Sequence, residues 1–463
     1  MKPSRSRPRI RSGRSTKNNS AACPRWRRNP PPNKRKTGRN DLHSVNPFPS
    51  LTLVLLAVAG GISGVMAEQN WPRLGGPEGS GQTTETVLPV TWDAGSVVWK
   101  TTLKGVGLSA VVNWGDRIFL TGAGPDGTKR WVYCLDRQTG KQRWEREIAV
   151  ATPEVIQKMN TWATPTCVTD GERVVAFFGR GGLHCFDLEG KPQWSRDLGQ
   201  FPGPWGVAAS PIIEGDLVLQ NCDAEGPCSF MAMNKRTGET VWTAKRGDVE
   251  RGGWSTPIVI GAAGRREVIL NGQFGVTAYD PATGGELWFC KGFAGRGEPV
   301  PVFSHGLLYV VNGLAGNTYA VKPGGSGDVT ATHRVWDARR AGGRDQPAPA
   351  VVGEFVLISS MSGVLTTYDA KSGKIHFTER LGSALAASPL TANGLAYFQM
   401  ENGEVVVIKP GKTLEIVARN TIGAARDEIF RASLSPIQGR LFARSRSVVY
   451  CISGDAPKAA PGR

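Results

Sequence analysis

The sequence predicts an all-β fold, an eight-bladed β-propeller at residues 96–453, and three observations lead there. A hairpin motif ending in tryptophan recurs at a near-constant interval, and a proline-bearing signal recurs in phase with it. The last blade is one strand short, while an extra strand precedes the first.

The hairpin is clearest in Tyr133-Cys134-Leu135-Asp136-Arg137-Gln138-Thr139-Gly140-Lys141-Gln142-Arg143-Trp144: apolar strand, Asp-x-x-Thr-Gly turn, then Trp. Copies run from Asn234 through Gly238 to Trp242, from Asp280 through Gly284 to Trp288, and from Asp369 through Gly373 to Phe377. A shortened copy runs from Asp187 past Gly190 to Trp194. An Asp or Asn side chain bonds forward to its own backbone, and Gly accepts the positive φ that closes a tight hairpin. The Trp supplies a broad apolar surface suited to packing between neighbouring sheets. With weaker copies included, the aromatic slot holds Trp99, Trp144, Trp194, Trp242, Trp288, Trp336, Phe377 and Val417, at intervals of 45, 50, 48, 46, 48, 41 and 40 residues. That period is the length of a four-stranded blade.

The second signal is a small residue and Pro, followed by apolar residues and a Gly-containing turn. It reads Ala163-Thr164-Pro165, Ala209-Ser210-Pro211, Ser255-Thr256-Pro257, Gly297-Glu298-Pro299, Ala348-Pro349, Ala387-Ser388-Pro389 and residues 433–436, with 108–111 as a degenerate first member. Pro lacks a ladder N–H, so it marks the start of each innermost strand. Short apolar runs, from 118–120 to 441–443, supply the second strands, and the last third strand is 448–452. The chain then stops before that blade's fourth strand. Residues 97–101 carry the slot-matching Trp99 without a blade of their own, so this strand is expected to complete the last blade and close the ring, removing open sheet edges.

The net charge of +17 suggests a nucleic-acid binder, but residues 1–67 carry +13 of it. The remaining +4 leaves no basic stripe to track phosphates, which excludes nucleic acid as a partner. The basic run to Arg39, rich in Ser, Pro and Asn, has no periodic apolar face and is expected to be disordered. An apolar stretch from Leu51 ends at Val65-Met66-Ala67, a small-x-small pattern that reads as a secretory signal cleaved before Glu68. An uncleaved anchor is the alternative, for which the stretch is short. The expected division is a basic leader and signal peptide at 1–67, an N-terminal extension at 68–95, the propeller, and a disordered tail at 454–463. The product is an exported monomer, periplasmic or extracellular, with no membrane span once the signal is removed.

Seven Cys follow the signal. Cys134, Cys185 and Cys451 occupy the third-strand slot held elsewhere by Ala232, Ala278, Ala320 and Thr367, and are expected to be small buried residues. Cys222 and Cys228 flank a turn, where export permits a disulfide. His184, His305, His333 and His376 fall in different blades, and no metal-ligand spacing, G-x-S-x-G or P-loop occurs. No metal site is expected. Asp223 and Glu225, two apart on a turn, read as solvated.

The Asp-x-x-Thr-Gly-x-x-x-Trp repeat with its phased Ser-Pro start resembles the pyrroloquinoline-quinone (PQQ) type of propeller repeat, from Trp71 to Ser453. That family includes quinoprotein dehydrogenases, the BamB propeller subunit of the outer-membrane assembly machinery, and many secreted bacterial proteins. The opening Trp71-Pro72-Arg73-Leu74-Gly75-Gly76-Pro77 is similar to the start of the last group. The resemblance implies the fold and leaves the site open. A quinone-dependent alcohol or sugar dehydrogenase would need the quinone with calcium in the central channel, and a carboxylate base. The vicinal Cys pair and the C-x-x-C-H haem motif common in such enzymes are absent from this sequence. The expectation is a non-catalytic scaffold of the cell envelope without a cofactor, binding a protein partner or a small polar or sugar ligand. The dehydrogenase and a polysaccharide-binding module are the alternatives.

The segments leading into the inner strands converge on one mouth of the channel, and loops on a rigid scaffold carry function. They bring Trp162, Trp205, Arg251, Trp254, Arg296, Glu298, Arg344, Asp345, Arg426 and Asp427 to that rim, where aromatic faces with Arg and carboxylate groups suit a polar ligand. The same residues can instead pair across blades while the Trp cap the core. An insertion at 151–160 reads as a short helical turn over the rim, a lid or merely a longer loop.

Overall fold

The computed structural model describes residues 70–292, 296–311, 317–339 and 347–454, with the backbone alone at 248–251; the leader and signal at 1–67 and the tail beyond 454 lie outside the described residues. Eight antiparallel sheets form the blades of a propeller. Blade 1 runs outward through Val112–Trp114, Arg117–Ala123, Lys129–Asp136 and Gln142–Ala149. The other inner strands are Val168–Thr169, Ile212–Glu214, Ile258–Ala262, Val302–Ser304, Ala350–Val352, Leu390–Ala392 and Ser435–Ile437. Blade 4 gains a fifth strand, Gly327–Asp328, parallel to its outer strand Glu286–Lys291. The ring closes as the sequence predicts: Val97–Thr102 pairs antiparallel with Val448–Ser453, Trp99 opposite Cys451.

The repeated turn is a docking device between blades. Asp136 Oδ1 accepts from the Gln138 and Thr139 amides at 3.1 and 2.9 Å, and Asn234, Asp280, Asp187 and Asp369 make equivalent bonds. The glycine that follows sits at φ near +70°, and a Cβ on Gly140, Gly190, Gly238, Gly284 or Gly373 would strike the Trp ring of the preceding blade within 2.4–2.7 Å. That indole also donates to the carbonyl after the turn's Asp or Asn: Trp99 to Arg137, Trp144 to Leu188, Trp194 to Lys235, Trp242 to Pro281 and Trp336 to Ala370, at 2.9–3.2 Å. Each tryptophan therefore lies flat on a bare glycine and is fixed at its edge by one hydrogen bond. Trp288 departs from the rule and donates to Glu267 of its own blade at 2.8 Å, because blade 5 has no Asp-x-x-Thr-Gly turn to receive it.

The residue opposite each aromatic is fully buried, Cys134, Cys185 and Cys451 included. In blade 7 that partner is Val407, and it faces Ala418 rather than Val417, which is exposed. The turn there is one residue longer than in blade 1, which shifts the register by one and reverses which side chain points inward. A second ring of bonds links the inner strands: the Ala110 amide donates to Thr166 Oγ1, the Thr166 amide to Ser210 Oγ and the Ser210 amide to Thr256 Oγ1, each at 2.9 Å. Ala348, Ser388 and Ser433 continue the pattern.

Residues 70–92 close one end of the channel. The Trp71 and Pro72 carbonyls accept from Asn113 and Thr169 in blades 1 and 2, while Thr83 bonds Thr391 in blade 7. Glu85 accepts the Gln438 and Gly439 amides of blade 8, and Trp92 stacks on Tyr397. Gly79 packs against Ile258 in blade 4. A segment reaching the inner strands of blade 4 and of blades 7 and 8, on opposite sides of the ring, must cross its axis, so the channel is a cup with a floor.

Two expectations are corrected. Residues 151–160 form no helix: their one hydrogen-bonded turn closes at the end, where the Asn160 amide donates to the Gln157 carbonyl at 2.7 Å. Glu154 is instead drawn inward to Arg130, its Oε2 2.6 Å from Nη2, with side-chain exposures of 2 and 0 %. The Glu154 carbonyl accepts the Trp162 indole at 2.8 Å, so the segment is pinned as an extended strap. Cys222 and Cys228, where export would permit a disulfide, are buried thiols that are not bridged to each other. Cys222 opposes Ser229, while Cys228 turns its sulfur back toward the Ala224 carbonyl at 3.1 Å.

Candidate functional site

The open end of the cup is walled by Trp205, which precedes blade 3, and Trp254, which precedes blade 4. Arg296, from the connection after blade 4, lies over both: its guanidinium carbon is 4.2 Å from the Trp205 ring centre and 5.2 Å from that of Trp254. Glu225 holds the group together, since its Oε1 accepts from Arg296 Nη2 at 2.9 Å and from the Trp205 indole at 2.7 Å. The Trp254 indole donates to the Gly206 carbonyl at 2.8 Å. Arg296 is only 12 % exposed, and its Nη1 is buried without a hydrogen-bond partner among the described residues. Cation–π and charge-assisted contacts are strongest where water is excluded, so this cluster is rigid before any ligand arrives.

Beneath it lies a cavity of about 200 Å³, lined by Leu108, Met159, Asn160, Trp205, Trp254, Glu298 and Arg431 among others. Arg431 is clamped by Glu401 at 2.8 and 3.2 Å and donates to the Met159 carbonyl at 2.7 Å, which ties the 151–160 strap to the connection into blade 8. Asn160 bonds the Trp205 carbonyl at 2.8 Å. The cup thus offers two indole walls, a thioether, and a rim of amide, carboxylate and guanidinium groups.

Of the residues read from the sequence, the structure brings Trp205, Trp254, Arg296 and Glu298 together. Trp162 belongs to a neighbouring cavity, with its ring over Gly127. Arg426 and Asp427 are exposed and take no part in the cup. Arg344 and Asp345 lie outside the described residues, as does the side chain of Arg251. The expected pairing across blades also occurs, because Arg296 and Glu225 are 71 residues apart. Sequence reasoning missed Glu401, Arg431 and the Arg130–Glu154 pair, and it read Glu225 as solvated, whereas its Oε1 binds Arg296 and Trp205. It also read Asp223 as solvated, whereas Asp223 is 1 % exposed and both its oxygens lie 3.0 Å from Nε of Arg246. Burial pushes the Asp223 carboxyl up, opposed by the Arg246 charge. His184 is satisfied by the Gly181 carbonyl at 2.6 Å. Among the described residues, no group of three or more His, Cys, Asp or Glu side chains is placed to hold a metal ion.

The family model described as outer membrane protein assembly factor BamB matches residues 80–218, 128–291 and 275–416. The outer membrane protein assembly factor BamB of Bordetella pertussis is 27 % identical over 311 residues, covering 62 % of this chain and 72 % of that protein. The solved structure of BamB from Moraxella catarrhalis superposes with a TM-score of 0.58 at 17 % identity, over 79 % of this chain and 99 % of that one. Quinohemoprotein alcohol dehydrogenase from Comamonas testosteroni superposes with a TM-score of 0.63 at 12 % identity, over 85 % of this chain and 82 % of that one. At such identities the two structures share the fold alone. The overlapping matches of the family model run through blades 1 to 7, and the chain belongs to the PQQ-like propeller family of the outer membrane protein assembly factor BamB.

Proposed function

We propose that the protein is an exported, non-catalytic scaffold of the cell envelope that holds a segment of a protein partner at the open mouth of its cup. The observation that carries this reading is the Trp205–Arg296–Trp254 stack fixed by Glu225. Pre-formed aromatic and Arg anchors around a recess are the composition of interface hot spots, and their rigidity lowers the ordering cost of association. The floor formed by residues 70–92 means that a partner inserts a side chain or a loop tip and does not thread through. Kinship with a protein named as an assembly factor supports the same reading.

The dehydrogenase alternative fits the residues poorly. Arg296 lies over one face of each indole that a flat quinone would use, and among the described residues no group of three or more His, Cys, Asp or Glu side chains is placed to hold a metal ion beside it. No cofactor is part of this reading, and the scaffold acts as a monomer. The test is a pull-down from envelope extract with wild type, Arg296→Glu and Trp205→Ala, run beside a calorimetric titration with pyrroloquinoline quinone and calcium. A partner retained by wild type and lost by both variants, with no heat from the quinone, is the expected result. Equal recovery by all three proteins, or saturable quinone binding, would overturn it.

A further inference from the structure

A second cavity opens on the same face, at the seam where the last blade meets the first. It measures about 480 Å³ and is bounded by Leu103 to Val106 after the closing strand, by Ala123 to Pro125 of blade 1, by Arg446 and Ser447 of blade 8, and by the strap through Ile156, Lys158 and Trp162. Three of its lining residues are cations, Lys104, Lys158 and Arg446, and none is acidic. Nothing in the fold of the ring explains their convergence. The Arg446 backbone is spoken for, its amide donating to the Ile429 carbonyl and its carbonyl accepting from Gly107, while its side chain makes no ion pair among the described residues and is left to face the cavity. Lys158 has no acidic partner among the described residues, and Lys104 is held by Glu145 at 3.2 Å while lying over the Trp131 ring at 5.2 Å. Three cations offset by one carboxylate leave the cavity with two positive charges.

That complement matches one common group. A phosphate monoester carries close to two negative charges near neutrality, together with three acceptor oxygens, and Arg and Lys donors bind it through charge-assisted bonds. A carboxylate supplies half the charge. The half-buried ring of Trp162, with its indole N–H already engaged by Glu154, leaves an aromatic surface for an organic body. We propose that the seam cavity is a binding site for a phosphate monoester, with Arg446 and Lys158 on the phosphate and Trp162 beside the organic part. The site is separate from the cup, although the strap forms a wall of both.

The test uses the full chain and three probes of one shape, phenyl phosphate, benzoate and phenol, titrated by calorimetry. Phenyl phosphate should bind tightest, benzoate more weakly and phenol not detectably, with the first weakening as salt is added. Arg446→Gln and Lys158→Gln should each weaken phenyl phosphate about tenfold, the loss expected of one charge-assisted hydrogen bond. Arg296→Gln, in the cup, should leave it unchanged. Lys158 is exposed on the strap, so its variant keeps the test decisive if Arg446→Gln does not fold. Vesicles containing phosphatidic acid separate the two sources: co-sedimentation lost in Lys158→Gln assigns the phosphate to a lipid headgroup. Phenyl phosphate binding without co-sedimentation assigns it to a soluble ester. Phenyl phosphate no tighter than phenol, or an affinity indifferent to Lys158→Gln, overturns the proposal.

Discussion

The carboxylate of Asp136 shows how much one side chain does in the repeated turn. Its Oδ1 takes two backbone amides and the Thr139 hydroxyl, and its Oδ2 lies 2.6 Å from Arg143 Nη2. The Arg143 bond, followed by those from Thr139, holds the Asp136 carboxyl down at about 2. A carboxyl depressed in the folded state contributes stability that is complete above the unfolded value near 4 and disappears as pH falls through the folded one. Thermal unfolding followed from pH 5 to pH 2 should therefore show a falling Tm, part of it due to Asp136. Asn234 occupies the same position in blade 3 and makes the same amide bonds without a titrating group. Asp136→Asn should accordingly fold normally and flatten the decline below pH 4, and an unchanged slope would show that the turn's charge contributes nothing.

At the scale of one element, the glycine after each turn separates local geometry from docking. Gly284 and Gly215 both have positive φ, +70° and +57°, but a Cβ on Gly284 would sit 2.4 Å from the Trp242 ring, whereas one on Gly215 would meet nothing within 4 Å. Gly215→Ala should cost about 1 kcal/mol, the penalty for a left-handed L-residue. Gly284→Ala adds displacement of a packed indole and its bond to Pro281 and should cost about 2–4 kcal/mol. Urea denaturation of the pair measures the difference, and equal losses would mean that the Trp-on-Gly contact is slack. The same contrast explains what the sequence made legible. The turn, its Gly and its Trp lie within a dozen residues, so their pattern survives in linear order, and the position of Trp205 and Trp254 on connections leading into inner strands put both at one rim. Glu225 reaching Arg296, Arg431 reaching Glu401, and Glu154 reaching Arg130 depend on where blades and connections fall in three dimensions, which no local pattern encodes. Val417 was misread for a related reason: a turn one residue longer than in blade 1 leaves the spacing rule intact to the eye while moving the inward position to Ala418.

For the whole molecule, the ring is closed by two devices that both lie at the N-terminal end, the strand Val97–Thr102 and the floor at 70–92, and they can be separated. Val97 faces Ile452 across an antiparallel pair, so the start of the closing strand lies beside the end of the last one. A two-residue Asn-Gly loop suits such a junction. A chain beginning at residue 103, with Asn-Gly and then residues 97–102 joined after Ser453, would rebuild the fourth strand of blade 8 as an ordinary hairpin while lacking the floor. Simple deletion of residues 1–102 leaves the third strand Val448–Ser453 as an open edge and bares the surface on which Trp99 packs against Phe442 at 5.7 Å and Gly140. An open apolar edge templates association, so the deletion should elute as aggregate. The rearranged chain should be monomeric, with one cooperative transition at a lower Tm than the intact protein, the deficit measuring the floor. If the rearranged chain also aggregates, the floor rather than the shared strand is what closes the ring. If the deletion is monomeric and cooperative, the contacts between blades 8 and 1, including fully buried Arg444 donating to the Ser109 and Thr121 carbonyls at 3.0 and 2.6 Å, hold the ring without a strand exchanged between its ends.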